Sequence, residues 1–352
     1  MKKKKVALLG GSFDPIHWGH LNMAKAALDS LGVDEVWFIP SNQTPLKDRV
    51  LMPANHRLAM VRLAMKEDPR FRISTVDLSR NGPSYTVDTL RILNQEFPEV
   101  EFTWLLGADQ ADQFEQWKDA DDLFKLADFA VVDRDGKKPK ESKYPFKHID
   151  MIHTPVSSSQ IRDGERINFL PESVLDYILK NELYLVNWVA KQVSPKRLAH
   201  SASVARLCRM LAKAHGLDEH RAWLAGLFHD VAKDMPVEEQ KKWVAAINPA
   251  GLSEHHAIWH GYAGSEIVRR NYGIDDPAVQ NAIFNHVKGT SYDPYAMIVF
   301  IADKLDPLRG YDSKPMIKAC MLDLYNGFMI VKRENREFLD REKRTLAEKG
   351  SF

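Results

Sequence analysis

Two histidines stand where an apolar run ends. The stretch "VALLGGSFDPIHWGH" carries four apolar residues, then Gly10 and Gly11, then a polar segment holding His17 and His20. A helical pattern begins near Gly19 or His20. Imidazoles can donate hydrogen bonds to phosphate oxygens. A helix start adds unpaired backbone N–H groups and the positive end of the helix dipole. Glycines after a strand let the backbone approach a ligand closely. The G-x-G-x-x-G fingerprint and the P-loop pattern are both absent, so a phosphate crevice of another kind is expected. Farther on, "SSSQIR" (Ser157 to Arg162) sets serines at a helix start with an arginine one turn in, which is a second anion pocket.

A second constellation lies in the later half, which holds eight of the 13 histidines. His200 falls on the apolar stripe of Val204, Leu207, Cys208 and Leu211. His286 continues the stripe of Val279, Ala282 and Ile283. His229 and Asp230 end the apolar segment "WLAGLF", and Asp303 follows "MIVFIA". A carboxylate buried among apolar helices is costly unless it is paired or bound to metal. Several such groups buried at random would exceed the stability of a small domain, about 5–15 kcal/mol. Gathering them around metal removes the conflict. The order is His200, His229–Asp230, His260, His286, Asp303, with His255 and His256 as neighbouring rivals of His260.

The elements that must hold these groups differ between the halves. Apolar runs at "VALL", "EVWFIP", "FRIS", "EFTWLLG", "FAVV" and "IDMI" alternate with helical patterns, as in a parallel sheet covered on both faces. From Ser194 onward helices follow one another, the first with Ser194 as N-cap and Pro195 at its first position. The domain boundary is expected at 187/188, without a Gly/Ser linker. The 352 residues suit two domains. With 44% apolar and 28% charged residues and a net charge of +1, no broad basic surface for nucleic acid is expected. No run approaches a membrane span. Cys208 and Cys320, both in helical patterns, suggest reduced thiols and a cytoplasmic protein. The charge-rich stretch 328–352 reads as a solvent-facing helix or tail.

H-x-G-H after a first strand, followed by "SSSQIR", resembles the nucleotidyltransferase superfamily. "GPSYTVDTL", "LLGADQADQFEQWK" and "VDRDG" are similar to bacterial nicotinate-mononucleotide adenylyltransferases over about the first 185 residues. The resemblance implies a Rossmann-like α/β domain that moves AMP from ATP, taken with Mg²⁺, to nicotinate mononucleotide, giving deamido-NAD and pyrophosphate. It implies His17, His20 and Arg162 in catalysis. Gly10, Gly11, Ser12, Phe13, Lys47, Gly107, Asp109, Arg134, Ser158, Ser159 and Ile161 would line the substrates. Thr86 would recognise the pyridine carboxylate, and Trp117 would stack on its ring. Trp18 and Asp135 depart from the commoner tyrosine or phenylalanine and proline. A different acceptor, such as pantetheine phosphate or a lipid head group, would keep the same fold.

The later half resembles HD-domain metal phosphohydrolases, an all-α fold. "AGLFHDVAKDMP", "HGYAG" and "IADKLDPLRGYD" are similar to those that split diadenosine tetraphosphate into two ADP. The resemblance implies one metal on His200, His229, Asp230 and Asp303. Asp230 would bridge to a second metal, held also by His260 and His286. Fe or Mn suits such donors, with Zn a third option. Lys233 would act in catalysis. "HGYAG" favours His260 over its rivals, and "HVKGT" departs from the family at Lys288. A nucleotide sensor, or a hydrolase of guanosine tetraphosphate or deoxynucleotides, shares the metal site. Nothing in the sequence excludes an oligomer.

Overall fold

Val6, Ala7, Leu8 and Leu9 are all buried, as a strand covered on both faces requires. They form β1 (Lys4–Gly11) of a six-stranded sheet in a computed structural model that describes residues 3–44, 50–133, 142–151 and 154–349. The other strands are β2 (Glu35–Pro40), β3 (Phe71–Ile73), β4 (Val100–Gly107), β5 (Asp128–Asp133) and β6 (Lys147–Asp150). Every pairing is parallel, in the order β3-β2-β1-β4-β5-β6. The order reverses between β1 and β4, where Leu8 pairs with Trp104. A crevice beyond the carboxyl ends of those two strands is the binding position of such sheets.

Helices α1 (Trp18–Leu31), α2 (Ala54–Ala64), α3 (Thr86–Glu96), α4 (Ala108–Ala111), α5 (Ala120–Leu123), α6 (Ser158–Arg162) and α7 (Glu172–Lys180) accompany the sheet. Val87, Leu90 and Leu93 of α3 pack with Leu8, Ile39, Phe102, Trp104 and Val131 in one core. Gly10 answers to that packing: a Cβ there would lie 2.5 Å from the Trp104 ring. The expectation that Gly10 exists for close ligand approach is thus supplemented by a steric demand from the neighbouring strand.

The chain divides into two units, Met1–Ile178 and Leu179–Phe352. The expected boundary at 187/188 falls inside α8 (Leu185–Ala190). Trp188 is fully buried and stacks on Tyr272 at 5.6 Å between ring centroids, within the second unit.

That unit continues with α9 (Pro195–Ala214), α10 (Glu219–Phe228), α11 (Val237–Ile247), α12 (Trp259–Tyr272), α13 (Pro277–Asn285), α14 (Pro294–Lys304), α15 (Lys314–Leu322) and α16 (Leu324–Lys349). The α9 stripe of Val204, Leu207, Cys208 and Leu211 is buried, and every residue from Tyr295 to Asp303 of α14 is buried. Gly226 lets α10 approach α9: a Cβ there would lie 2.8 Å from both the Ala205 Cα and the Cys208 Sγ. Cys208 and Cys320 are free thiols. Among the described residues, no helix is long and apolar enough to cross a membrane.

Candidate functional sites

Strand β1 ends at Gly11, and the loop after it delivers His17 to the N-cap of α1. The His17 backbone N–H donates to His20 Nδ1 at 3.3 Å, so in the neutral imidazole of His20 the ring hydrogen sits on Nε2. The two rings lie 3.9 Å apart between centroids. Gly19 is needed between them, since a Cβ there would meet the His17 ring at 2.9 Å. Phe13, in the left-handed region at φ +46°, is fully buried and sets its ring against the His20 ring at 5.1 Å. The H-x-G-H spacing therefore has a local cause: a cap, one turn, and room for an imidazole.

The later motif folds back onto this loop. Ser157 caps α6, its side chain accepting from the Gln160 N–H. Ser158 Oγ donates to the Pro15 carbonyl at 2.8 Å, and Arg162 donates to the Asp14 carbonyl at 2.7 Å. Ile161 is fully buried and Ser159 exposed. Two motifs 140 residues apart in sequence thus form one structure. Arg57 completes it, 2% exposed, donating to the carbonyls of Ser12 and Met52, each at 2.8 Å. Sequence reasoning missed Arg57, yet it lies on the buried stripe of α2 with Met60 and Val61, the same anomaly that marked the later histidines.

Gly107 is buried at the end of β4, and Asp109 is exposed in α4 just beyond it. Thr86 opens α3 one position after the N-cap, which is Tyr85. Trp117 is half-buried, one face stacked on Phe114 at 5.1 Å. The next residue, Lys118, pairs with Asp88 at 3.0 Å and lies over the Tyr85 ring at 4.8 Å. Those contacts bring the Trp117 segment beside the start of α3, where Thr86 sits. Trp18 is half-buried on α1, with the Lys25 ammonium over its ring. Lys47, Arg134 and Asp135 lie outside the described residues.

In the second unit, His200 comes from α9, His229 and Asp230 from the end of α10, His260 from α12, His286 from the end of α13 and Asp303 from α14. They converge. His200 Nε2 lies 3.2 Å from Asp303 Oδ1, and His260 Nε2 lies 3.2 Å from both Asp230 Oδ1 and His286 Nε2. His229, His260 and His286 are buried, whereas His255 and His256 are exposed. His260 is the one of the three in the cluster.

The donors are prepared for a cation. His229 Nδ1 donates to the Gly226 carbonyl at 2.7 Å, and His286 Nδ1 to that of Ile283 at 2.6 Å. Their Nε2 atoms therefore present lone pairs inward. His229 Nε2 is buried without a hydrogen-bond partner, and faces Asp230 at 3.7 Å and Asp303 at 3.9 Å. Burial pushes His229 and His260 down to about 4, so both imidazoles are neutral near pH 7. Burial alone would raise Asp230, but His229, His260 and His286 hold it well below the usual carboxylate range. Asp303 is likewise held low against burial by Lys304 and His200. His200, His229 and Asp303 form one group able to grip an ion, and His229, Asp230 and His286 another. Inward lone pairs and ionised carboxylates with an orphaned nitrogen fit divalent metal.

Sequence reasoning did not find one support, Asp306. Asp306, fully buried, holds His200 Nδ1 at 2.7 Å. It sits three residues past Asp303 and reads as a turn residue. Lys233 Nζ reaches His260 Nδ1 at 3.2 Å and the Ala257 carbonyl at 3.2 Å, and burial lowers its pKa. Lys288 pairs with Glu254.

Residues 8–164 match the cytidylyltransferase-like family, and residues 197–308 the HD domain. The chain is 29% identical to a Mycoplasma pneumoniae protein named probable nicotinate-nucleotide adenylyltransferase/Ap4A hydrolase, over 92% of this chain and 96% of that one. A probable nicotinate-nucleotide adenylyltransferase of Leifsonia xyli is 38% identical over 52% of this chain and 94% of its own length. One of Geobacillus kaustophilus is 40% identical over 51% of this chain and 86% of its own length.

Proposed function

The chain belongs to the nicotinate-nucleotide adenylyltransferase family and carries an HD domain in its second unit, and from that premise we propose a bifunctional enzyme. The first unit transfers AMP from ATP to nicotinate mononucleotide, giving deamido-NAD and pyrophosphate. The second hydrolyses diadenosine tetraphosphate symmetrically to two ADP.

In the first reaction the acceptor phosphate attacks the α-phosphorus of the ATP–Mg²⁺ complex, and pyrophosphate departs. Such transfers depend on positioning and charge stabilisation. His20 Nε2–H and His17, at the start of α1, donate to the α-phosphate as charge develops there. Ser158 and Arg162 hold the loop that carries them, and Arg162 adds positive charge to the nucleotide phosphates. Gly10 to Phe13, Gly107, Asp109, Ser159 and Ile161 line the substrates. Trp117, backed by Phe114, offers its other face to the pyridine ring, and Thr86 at the start of α3 donates to the carboxylate. What carries this reading is the hydrogen bonding of the two motifs into one loop.

For the second reaction, His200, His229, Asp230 and Asp303 would hold one divalent ion, and Asp230, His260 and His286 the other, with Fe or Mn preferred over Zn. Such a pair, when bound, supplies hydroxide at neutral pH and clamps the attacked phosphate. Asp306 fixes the His200 ring, and the Gly226 and Ile283 carbonyls fix His229 and His286. Lys233, tethered to the Ala257 carbonyl, donates to a phosphate oxygen. The observation that carries this reading is the buried, partnerless His229 Nε2.

Two incubations of the full-length protein test the proposal. With ATP and Mg²⁺, nicotinate mononucleotide should yield deamido-NAD faster than nicotinamide mononucleotide yields NAD. Turnover of neither overturns the acceptor assignment. Metal-replete protein should convert diadenosine tetraphosphate to ADP alone. Binding without ADP release would make the second unit a sensor. Preferential hydrolysis of guanosine tetraphosphate or a deoxynucleotide would reassign its substrate.

A further inference from the structure

The stretch that leads into Thr86 has neither helix nor strand of its own. Residues 79–85 read Ser-Arg-Asn-Gly-Pro-Ser-Tyr, with Gly82 in the left-handed region at φ +87°. The backbone polar groups of such a stretch must find partners elsewhere. The segment after β2 supplies them. Asn42 Nδ2 donates to the Arg80 carbonyl, the Asn42 N–H to Ser84 Oγ, and the Ser84 N–H to the Gln43 carbonyl, each at 2.9 Å. Just before them the Ser41 N–H donates to the Gly11 carbonyl, also at 2.9 Å. Gly11 opens the loop that delivers His17. Three consecutive residues, Ser41 to Gln43, thus join the approach to Thr86 to the start of the histidine loop.

A second tie comes from within. Asp77 is 5% exposed and Thr89 is fully buried. Arg80 Nη2 donates to Asp77 Oδ1 at 2.5 Å and to Thr89 Oγ1 at 2.9 Å, and the Thr89 hydroxyl donates to the same Asp77 oxygen at 2.5 Å. Thr89 lies one turn beyond Thr86 on α3, so the three side chains fasten the loop to the helix that it feeds. Arg80 Nε is buried with no hydrogen-bond partner among the described residues. The guanidinium is therefore held by the carboxylate and the hydroxyl alone. Loss of either partner of a buried pair leaves the other uncompensated, so this loop has little freedom to shift.

We propose that Asn42 and Arg80 are positioning residues for the acceptor, setting the distance between Thr86 and the histidine loop. This rests on the adenylyltransferase reading of the first unit and adds what holds its two ends in register. The acceptor must reach Thr86 with its carboxylate while its phosphate stands in line with the α-phosphorus beside His17 and His20. Placement of this kind governs transfers that have no covalent step on the protein. ATP meets the histidine loop, which Ser158, Arg162 and Arg57 secure independently. Slack at Asn42 or Arg80 is then felt by the acceptor and not by ATP.

The test uses full-length protein, with KM from initial rates, dissociation constants from calorimetry, and hydrogen exchange of residues 80–86. Asn42→Ala, at a half-buried position, should raise both KM and Kd for nicotinate mononucleotide about tenfold, the scale of one lost hydrogen bond. KM and Kd for ATP should stay within about twofold, and residues 80–86 should exchange faster. Arg80→Gln should have a larger effect of the same selectivity, and Arg80→Lys, which keeps the charge on Asp77, should fall between it and wild type. Asn42→Ala also covers an Arg80→Gln protein that fails to fold. Acceptor affinity within about twofold of wild type in Asn42→Ala overturns the proposal. So does a parallel loss of ATP affinity, which marks a structural role. Failure of the acceptor reading looks different: wild-type protein turns over no nicotinate mononucleotide, and the selective loss in Asn42→Ala appears against whichever other acceptor it uses.

Discussion

Acidification of the metal-free protein should unfold its helical unit by a route that can be worked in advance. Burial pushes His229 and His260 down to about 4 from the ordinary 6.5. In the unfolded chain they take up protons as pH falls through 6.5, and in the folded chain they do not until about 4. Between those values the unfolded state holds more protons, so stability falls as pH falls. Asp230 and Asp303 are held low, so their contribution is lost only below the ordinary carboxylate range, outside this window. His200 is raised by Asp303 and Asp306 against the opposing effect of burial. Its contribution is complete below 6.5 and fades as pH rises. The acid-side slope therefore belongs to His229 and His260. From pH 6.5 to 5 each should lose on the order of 1–2 kcal/mol and the pair about 3 kcal/mol. With a urea slope of about 2 kcal/mol per molar, the midpoint should drop by about 1.5 M. Urea titration of chelator-treated protein, followed by far-ultraviolet circular dichroism, measures it. His260→Asn should about halve the drop. A midpoint unchanged or higher at pH 5 refutes the assignment of neutral, buried imidazoles.

Other consequences are as direct. Gly226→Ala puts a methyl 2.8 Å from the Ala205 Cα, so it should cost about 1–3 kcal/mol by overpacking and lower metal content by displacing the carbonyl that orients His229; thermal melts and elemental analysis read both effects. His260→Ala should lose about half of the bound metal, while His255→Ala and His256→Ala, at exposed positions, should retain it all; elemental analysis decides. Trp117→Ala should raise KM for nicotinate mononucleotide about tenfold with little change in KM for ATP, as expected for the loss of one stacking partner; equal effects on both substrates would place Trp117 in the core alone.

What was legible follows from conflict between residue type and pattern. The central strands β1, β2, β4 and β5 stood out as short apolar runs because they are largely buried, whereas β3 and β6 at the sheet edges are only partly so. Their order did not, since runs of similar composition do not name their neighbours. Gly10 shows the limit: a glycine after a strand suggested an open approach for ligand, and the structure adds that the Trp104 ring from β4 needs the space. No local feature of β1 encodes that contact. What packs at the junction was hidden for the same reason. Trp188 looks like part of a junction until Tyr272, 84 residues later, is found stacked on it.

The metal cluster was legible because histidines and carboxylates on apolar stripes violate the burial rule, and only a shared purpose for several of them resolves the violation. Arg57 violates it equally, on the stripe with Met60 and Val61. It escaped notice because its partners are the backbone carbonyls of Ser12 and Met52, and carbonyls have no signature in a sequence. Arg197 and Arg309 violate nothing. They reach solvent from a helix start and a turn, where arginine is ordinary, and only their distances to Asp230 and Asp303 set them apart. Sequence therefore exposes groups whose burial demands a partner and conceals groups whose partners appear only once the chain is folded.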